Sequence, residues 1–280
     1  MFANCKTTVV AAIAAGLMVG VATGAQAEDV LSIARGKHEI TIGTSNDAPL
    51  SFVDSKNNRP DGVLPDVLKA AFAKIDVKVE FHVVAMPFSS LIPALTSGRI
   101  DMIGDAMYAT AARKKIIDFT ETTFYNPESL DVAKGNPRKL HSLADLCGKA
   151  AGSYEGTTYI DLLRKVSAAC PSGKSIDVHQ YPTIQNVFAD LSAGRLDAAV
   201  VDASLSAYAL KGNPSLGFEL VADYKPEDKQ SSGCAFGVAK GSDDFLKSFN
   251  DAYSAMLADG SAAAIFTKWG MTPTTFFLAP

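Results

Sequence analysis

Two aspartates stand where a carboxylate can act on a small molecule. Asp105 follows the short apolar run Met102-Ile103-Gly104, and Asp202 follows Ala198-Ala199-Val200-Val201. Acids at the ends of apolar strands can grip a cation, or they can move protons as an acid/base pair. No catalytic motif accompanies them. G-x-S-x-G and H-E-x-x-H are absent, and Gly173-Lys174-Ser175 has Ala168 where a phosphate-binding loop requires its first glycine. The histidines, His38, His82, His141 and His179, are scattered singly and no C-x-x-C occurs, so neither a metal site nor a cofactor is expected.

The two acids fall in corresponding places of an internal repeat. Leu95-Thr96-Ser97-Gly98-Arg99-Ile100-Asp101 is echoed by Leu191-Ser192-Ala193-Gly194-Arg195-Leu196-Asp197, 96 residues later. In each copy an amphipathic helix (Ser89 to Ser97; Ile184 to Ala193) ends at a glycine suited to a left-handed cap, and an apolar strand ending on the acid follows at once. Chance recurrence of a common helix-Gly-strand joint is the alternative; two copies at domain spacing favour two similar α/β lobes. Glu39 to Gly43 and Val77 to Val84 read as strands and Pro65 to Lys74 as a helix, an alternation that builds mostly parallel sheets flanked by helices. Ligands bind outside the carboxyl ends of such strands. The polar or Pro-containing segments Phe124 to Glu128 and Lys225 to Ser232 read as two crossovers forming a hinge. They divide the chain into a discontinuous first lobe, residues 28–127 with 229–280, and a second lobe, residues 128–228.

The compartment follows from the first 27 residues. Lys6, an apolar run from Val9 to Val21 and Ala25-Gln26-Ala27 form an export signal expected to be cleaved after Ala27. Gly16, Gly20 and Gly24 interrupt the run, which is shorter than the roughly 20 residues that span a bilayer. No Cys stands at the cleavage position, so a lipid anchor is not expected, and Cys5 leaves with the signal. The chain carries 26 basic and 30 acidic residues, a balance that argues against nucleic acid and anionic membranes as partners. Cys147, Cys170 and Cys234 remain in an oxidising compartment; Cys147 with Cys170 is the favoured pair because both flank one helical stretch, three free thiols being the alternative.

Several segments resemble the periplasmic amino-acid-binding proteins of ABC transporters, the glutamine-, histidine- and lysine/arginine/ornithine-binding group. They are the run from Phe88 to Asp101, Thr110 to Thr120, Gly156-Thr157-Thr158, Gly194 to Asp202, Phe236 to Gly241 and Trp269-Gly270. The resemblance implies a two-lobed periplasmic-binding-protein fold of type II. It implies a monomer that binds an amino acid or derivative between its lobes and delivers it to a membrane permease. Arg113 corresponds to the arginine that clamps the ligand carboxylate, a task suited to a planar guanidinium; a surface Arg beside Lys114 and Lys115 is the alternative. Thr157 and Thr158 fall at a helix start that favours the same carboxylate, with ordinary capping as the alternative for Thr158. Asp202 corresponds to the carboxylate that takes the ligand ammonium, or serves as a helix N-cap. Ala106 and Tyr108 fall where the group holds the headgroup, and Phe52 and Phe88 are aromatic walls or plain core.

The departures bear on specificity. Gly62-Val63-Leu64-Pro65-Asp66 replaces the usual Gly-Phe-Asp, Leu50 replaces a common aromatic, Asp105 replaces a small residue, and Tyr108 replaces Ser or Thr. Asp105, with Asp47 and Glu155 near the cleft, favours a cationic or polar ligand, unless the acid pairs with a protein Lys or Arg; Tyr108, Phe52 and Phe88 would add cation–π contacts. Two other readings use the same fold: an enzyme of the cyclohexadienyl-dehydratase kind, and a sensor input module.

Overall fold

The computed structural model describes residues 1, 28–226, 232–271 and 279–280. Most of the expected export signal (residues 2–27) and part of the second crossover (residues 227–231) lie outside the described residues.

Helix α1 (Val30–Lys37) starts where the Asp29 carboxylate accepts the N–H groups of Leu31 and Ser32, and Arg35 and Lys37 complement its C-terminal dipole. It leads into β1 (Glu39–Thr44), the small hairpin β2 (Phe52–Val53) and β3 (Pro60–Asp61), and α2 (Val63–Lys74). Strand β4 (Glu80–Ala85), α3 (Leu91–Thr96), β5 (Met102–Tyr108), α4 (Ala111–Lys114), β6 (Asp118–Phe119) and β7 (Phe124–Tyr125) follow. The second half runs β8 (Glu128–Ala133), β9 (Ala150–Tyr154), α5 (Thr158–Ala168), β10 (Asp177–Tyr181), α6 (Ile184–Ser192), β11 (Ala198–Asp202), α7 (Ala203–Gly212) and β12 (Phe218–Leu220). The chain then returns to the first lobe as β13 (Gly233–Val238), α8 (Asp243–Ala258) and α9 (Ser261–Lys268).

Two sheets result. One has the order β4-β1-β5-β13-β6, with β7 also beside β13; the other has the order β10-β9-β11-β8-β12. In each, three parallel strands (β4, β1, β5; β10, β9, β11) are followed by an antiparallel neighbour, β13 or β8. This is the two-lobed periplasmic-binding-protein fold of type II. The repeated helix-Gly-strand joint has a shared physical basis. Gly98 and Gly194 adopt φ of +72° and +70°, the left-handed region that only glycine enters cheaply. The carboxylate three residues on then braces the neighbouring strand: Asp101 accepts the Thr41 N–H at 2.7 Å, and Asp197 accepts the Ala150 N–H at 3.0 Å.

Three sequence expectations change. Strand β4 begins at Glu80 rather than Val77, and the helix expected from Ser89 opens as a 3₁₀ turn, Phe88–Ser90, before α3. Strand β5 continues past Asp105 to Tyr108, because β13 supplies a further edge to pair with Met107 and Tyr108. Asp105 therefore lies within a strand and not at its tip.

Aromatic rings fill the first lobe: Phe245 lies between Phe72 and Phe249, and Phe236 meets Phe249 edge-on at 5.3 Å. Each such buried ring contributes about 2–3 kcal/mol by removal from water. In the second lobe the Cys147–Cys170 disulfide ties the 3₁₀ turn Leu143–Leu146 to the end of α5, while Cys234 is a buried free thiol. A closure of this length stabilises a domain by roughly 2–4 kcal/mol. Denatured, unreduced protein of residues 28–280 is expected to show a single titratable thiol. Cys147→Ser is expected to lower the urea-unfolding free energy by about 3 kcal/mol; three titratable thiols would contradict the pairing.

Candidate functional site

The site is built where the ends of β5 and β11 approach each other from different lobes. On the first side, α4 follows β5 after a two-residue turn, and the Thr110 hydroxyl caps it by accepting the Arg113 N–H at 3.3 Å. This places the Arg113 guanidinium over the Phe88 ring, 5.4 Å from its centroid. Its Nη1 donates to the Tyr108 carbonyl at 2.9 Å, and its Nη2 crosses the cleft to donate to the Gly156 carbonyl at 2.8 Å. Burial pulls the Arg113 pKa below its ordinary value, but an arginine so placed remains a cation. Among the described residues it makes no ion pair.

Asp202 faces it from the second lobe. Its backbone occupies the N-cap position of α7, yet its side chain makes no capping bond. Instead Oδ2 accepts the Tyr154 hydroxyl at 2.6 Å, and Oδ1 accepts the Tyr159 hydroxyl at 2.7 Å and the Asn126 amide at 2.8 Å. Three donors leave a carboxylate with room for about one more. Burial pushes the Asp202 carboxyl up to about 6, against the pull of the two phenols. The Tyr108 hydroxyl donates to the Asn126 carbonyl at 2.5 Å and lies 2.6 Å from the Tyr159 hydroxyl, so one network joins both lobes and a crossover. Burial first, then the Asp202 charge, holds all three phenols well above their ordinary pKa.

The cleft is closed. Phe88 meets Tyr154 edge-on at 5.8 Å, and a Cβ added at Gly156 would fall 2.7 Å from Ser89 Cα. The space left beside Arg113, Ala106, Thr157 and Asp202 is about 10 Å³, close to the room one water requires. Tyr108, Thr158 and Tyr159 separate it from a wider, open cleft of about 460 Å³ bordered by Lys114 and Glu128. Those tyrosines have to move for anything of amino-acid size to reach Arg113 and Asp202 together.

Of the residues singled out by sequence, Phe88, Ala106, Tyr108, Arg113, Thr157, Thr158 and Asp202 line this space. The N-cap of α5 is Thr157, not Thr158, and its hydroxyl donates to the Tyr154 carbonyl at 2.8 Å. Asp47 and Asp105 are buried together, bridged by the Ser45 hydroxyl. Phe52 stands apart, edge-on to Trp269 at 5.8 Å, and is not among the lining residues. Glu155 is exposed. Sequence reasoning missed Tyr154, Tyr159, Asn126 and Ser45. The signal for the tyrosines was available: they flank the Gly156 turn, one closing a strand and one opening a helix.

A cleft between two α/β lobes, with a cation on one wall and a carboxylate on the other, defines a small-solute-binding protein. The chain belongs to the bacterial extracellular solute-binding proteins, family 3, whose model matches residues 40–272. It is 32% identical over 238 residues to the ABC transporter arginine-binding protein 1 of Escherichia coli (strain K12), an overlap of 84% of this chain and 92% of the relative. It superposes on an ancestral arginine-binding protein bound to arginine with a TM-score of 0.73 and 30% identity, over 83% of this chain and 98% of the other. A third likeness is to the ancestral amino-acid-binding protein AncCDT-1, a precursor of cyclohexadienyl dehydratase. There the TM-score is 0.72 and the identity 25%, over 85% of this chain and 98% of the other. No helix among the described residues is long and apolar enough to cross a membrane.

Two expectations follow from the closed geometry. Gly156 has φ +81°, so Gly156→Ala combines backbone strain with a clash against Ser89 backbone. It is expected to hinder closure, expanding the protein in small-angle scattering, with about 1–2 kcal/mol lost from the closed state; an unchanged radius would contradict this. Asp202 has a folded pKa near 6, above the unfolded aspartate value near 3.9. The folded form therefore binds the proton more tightly, and this group's contribution is most favourable at low pH and declines as pH rises from about 4 through about 6. Relative to Asp202→Asn, wild-type stability should fall by about 2–3 kcal/mol between pH 4 and pH 7, read by urea titration.

Proposed function

We propose that this chain is the extracytoplasmic solute-binding component of an ABC importer. It captures an amino acid or related small zwitterion in the interlobe cleft and hands it to a membrane permease. The observation that carries this reading is a pair of opposite charges, Asp202 buried and Arg113 half-buried, that the protein itself does not pair. Arg113 comes from one lobe and Asp202 from the other, and among the described residues neither has an ionic partner. A buried charge without a counter-charge is costly. A zwitterion supplies both counter-charges at once, its carboxylate to Arg113 and its ammonium to Asp202.

Binding is coupled to closure on this reading. The open state admits solute, and contacts from both lobes stabilise the closed state, with Tyr108 and Tyr159 swinging to make room. The relatives are binding proteins, and this chain acts in the same way rather than as an enzyme. Release of water from prephenate or arogenate on incubation with the protein would overturn that part.

Arg113→Ala and Asp202→Ala each leave the ligand's opposite charge desolvated and unpaired, a loss of about 2–5 kcal/mol. Calorimetry against the amino acid found by a thermal-shift screen should therefore show binding weakened by roughly 30-fold to several thousand-fold. Wild-type affinity in Arg113→Ala would remove the assignment.

A further inference from the structure

Asn126 stands in the first crossover, 0% exposed, and three of its four polar groups are committed. Its N–H donates to the Ser232 carbonyl at 2.9 Å, its carbonyl accepts the Tyr108 hydroxyl, and its Nδ2 donates to Asp202 Oδ1 at 2.8 Å. The fourth, its Oδ1, is buried with no hydrogen-bond partner. Turning the amide over would set that oxygen against a carboxylate oxygen, so the donor is the end that faces Asp202. An unpaired buried acceptor destabilises a fold, and a leucine of similar shape would avoid it. What the amide does at Asp202 offsets that cost.

Asp202 needs such an anchor. Its side chain makes no capping bond, and among the described residues three donors hold it: Tyr159 and Asn126 on Oδ1, and Tyr154 on Oδ2. A carboxylate oxygen accepts about two hydrogen bonds, which leaves the open position on Oδ2. The Tyr159 hydroxyl also lies 2.6 Å from the Tyr108 hydroxyl of the other lobe, and both phenols have to swing aside before an amino acid fits. Asn126 does not swing with them. The chain runs from it directly into β8, where Glu128 pairs with Asp202 and the Pro127 carbonyl accepts the Ala203 N–H at 3.0 Å. Asn126 and Asp202 therefore share one backbone frame. Asn126 is not among the residues that line the space between Arg113 and Asp202.

We propose that Asn126 is a positioning residue: its amide keeps Asp202 Oδ1 in place when the tyrosines move, favours the ionised carboxyl, and leaves Oδ2 for the ligand's ammonium. The proposal rests on the amino-acid reading above and adds to it a residue that the ligand does not touch. The titratable groups facing Asp202 are the Tyr154, Tyr159 and Tyr108 phenols, Asp47 and Asp105 from the first lobe, the Cys234 thiol on β13 and, across the strand pair, Glu128. Arg113 lines the same space, and among the described residues it makes no ion pair with Asp202. Asn126 thus supplies the one donor to Asp202 that never titrates. Removing a donor to the charged form of a carboxyl disfavours that form.

Asn126→Leu removes the donor and the unpaired acceptor together, so the fold should survive, which urea unfolding checks. The Asp202 carboxyl, followed by carbon NMR on the ligand-free protein, should titrate near pH 6 in the wild type and about one pH unit higher in the variant. Calorimetry with L-arginine and L-glutamine as probes should then show a loss of affinity that depends on pH. At pH 6 it should exceed the loss at pH 8 by about fivefold, because fewer variant molecules carry the charge that the ammonium needs. A loss of the same factor at both pH values would mark a merely structural residue and overturn the proposal, as would an unmoved Asp202 midpoint. If the variant does not fold, the side-chain NH2 resonance of Asn126 in the wild type decides. It should shift with the Asp202 midpoint, and a flat response overturns the proposal. Two silent probes would overturn the amino-acid reading instead, and the ligand-free titration would still judge the anchor.

Discussion

The cleft depends on one constraint: charges of both signs are drawn out of water, Asp202 almost wholly and Arg113 in part, without being allowed to meet. Arg113 and Asp202 reach the same small space from different lobes, and each is held by neutral donors or acceptors in place of a counter-ion. A direct Arg–Asp ion pair would satisfy both and would leave nothing for a ligand to complete. Carbonyls on the guanidinium and phenols on the carboxylate are the compromise. They reduce the desolvation cost without cancelling the charge.

The fold serves this arrangement through symmetry. In each lobe the helix-Gly-strand joint fixes a central strand, and an aspartate at its start, Asp101 or Asp197, locks it to the neighbouring parallel strand. Strands braced in this way point their carboxyl ends at the cleft with little freedom, so Tyr108 and Asp202 arrive from opposite sides at hydrogen-bonding distance of a shared partner. That partner is Asn126, between β7 in one sheet and β8 in the other. Its carbonyl serves the first lobe's tyrosine and its amide the second lobe's aspartate. A residue in the crossover thereby bonds to both lobes at once.

Much of this was legible from sequence because it follows short-range rules. The repeat around Gly98 and Gly194 and the strand before Asp202 each rest on local periodicity or on a residue needed for backbone geometry. Arg113 and Asp202 came from the family resemblance and lie on facing walls. The misses are of another kind. Whether β5 stops at Asp105 or runs to Tyr108 depends on pairing with β13, more than 120 residues later in the chain, and no local pattern reports that. Asn126 looked like a linker residue, because polarity in a crossover does not distinguish solvent exposure from a buried amide. Phe52 and Phe88 were indistinguishable as apolar aromatics; one packs on Trp269 and the other under Arg113, which only the tertiary path decides.

The tyrosines give the closed cleft a particular balance. Tyr154 and Tyr159 donate to Asp202, and Tyr108 packs between the lobes, so closure without ligand already recovers several hydrogen bonds. Against this stands the cost of burying Arg113 and Asp202 with no opposite charge, together with a space too small for an amino acid. A ligand shifts such an equilibrium only by what it adds beyond the bonds it displaces. A neutral hydroxyl-bearing solute would replace phenol with alcohol at Asp202 and gain little. An ammonium brings charge to the same oxygens, and its carboxylate does so at Arg113, so the differential favours a zwitterion even though the empty cleft is well hydrogen-bonded. On the proposed reading the internal phenols set a threshold: they hold the site in shape, and a solute that offers nothing stronger than a hydroxyl gains little by displacing them.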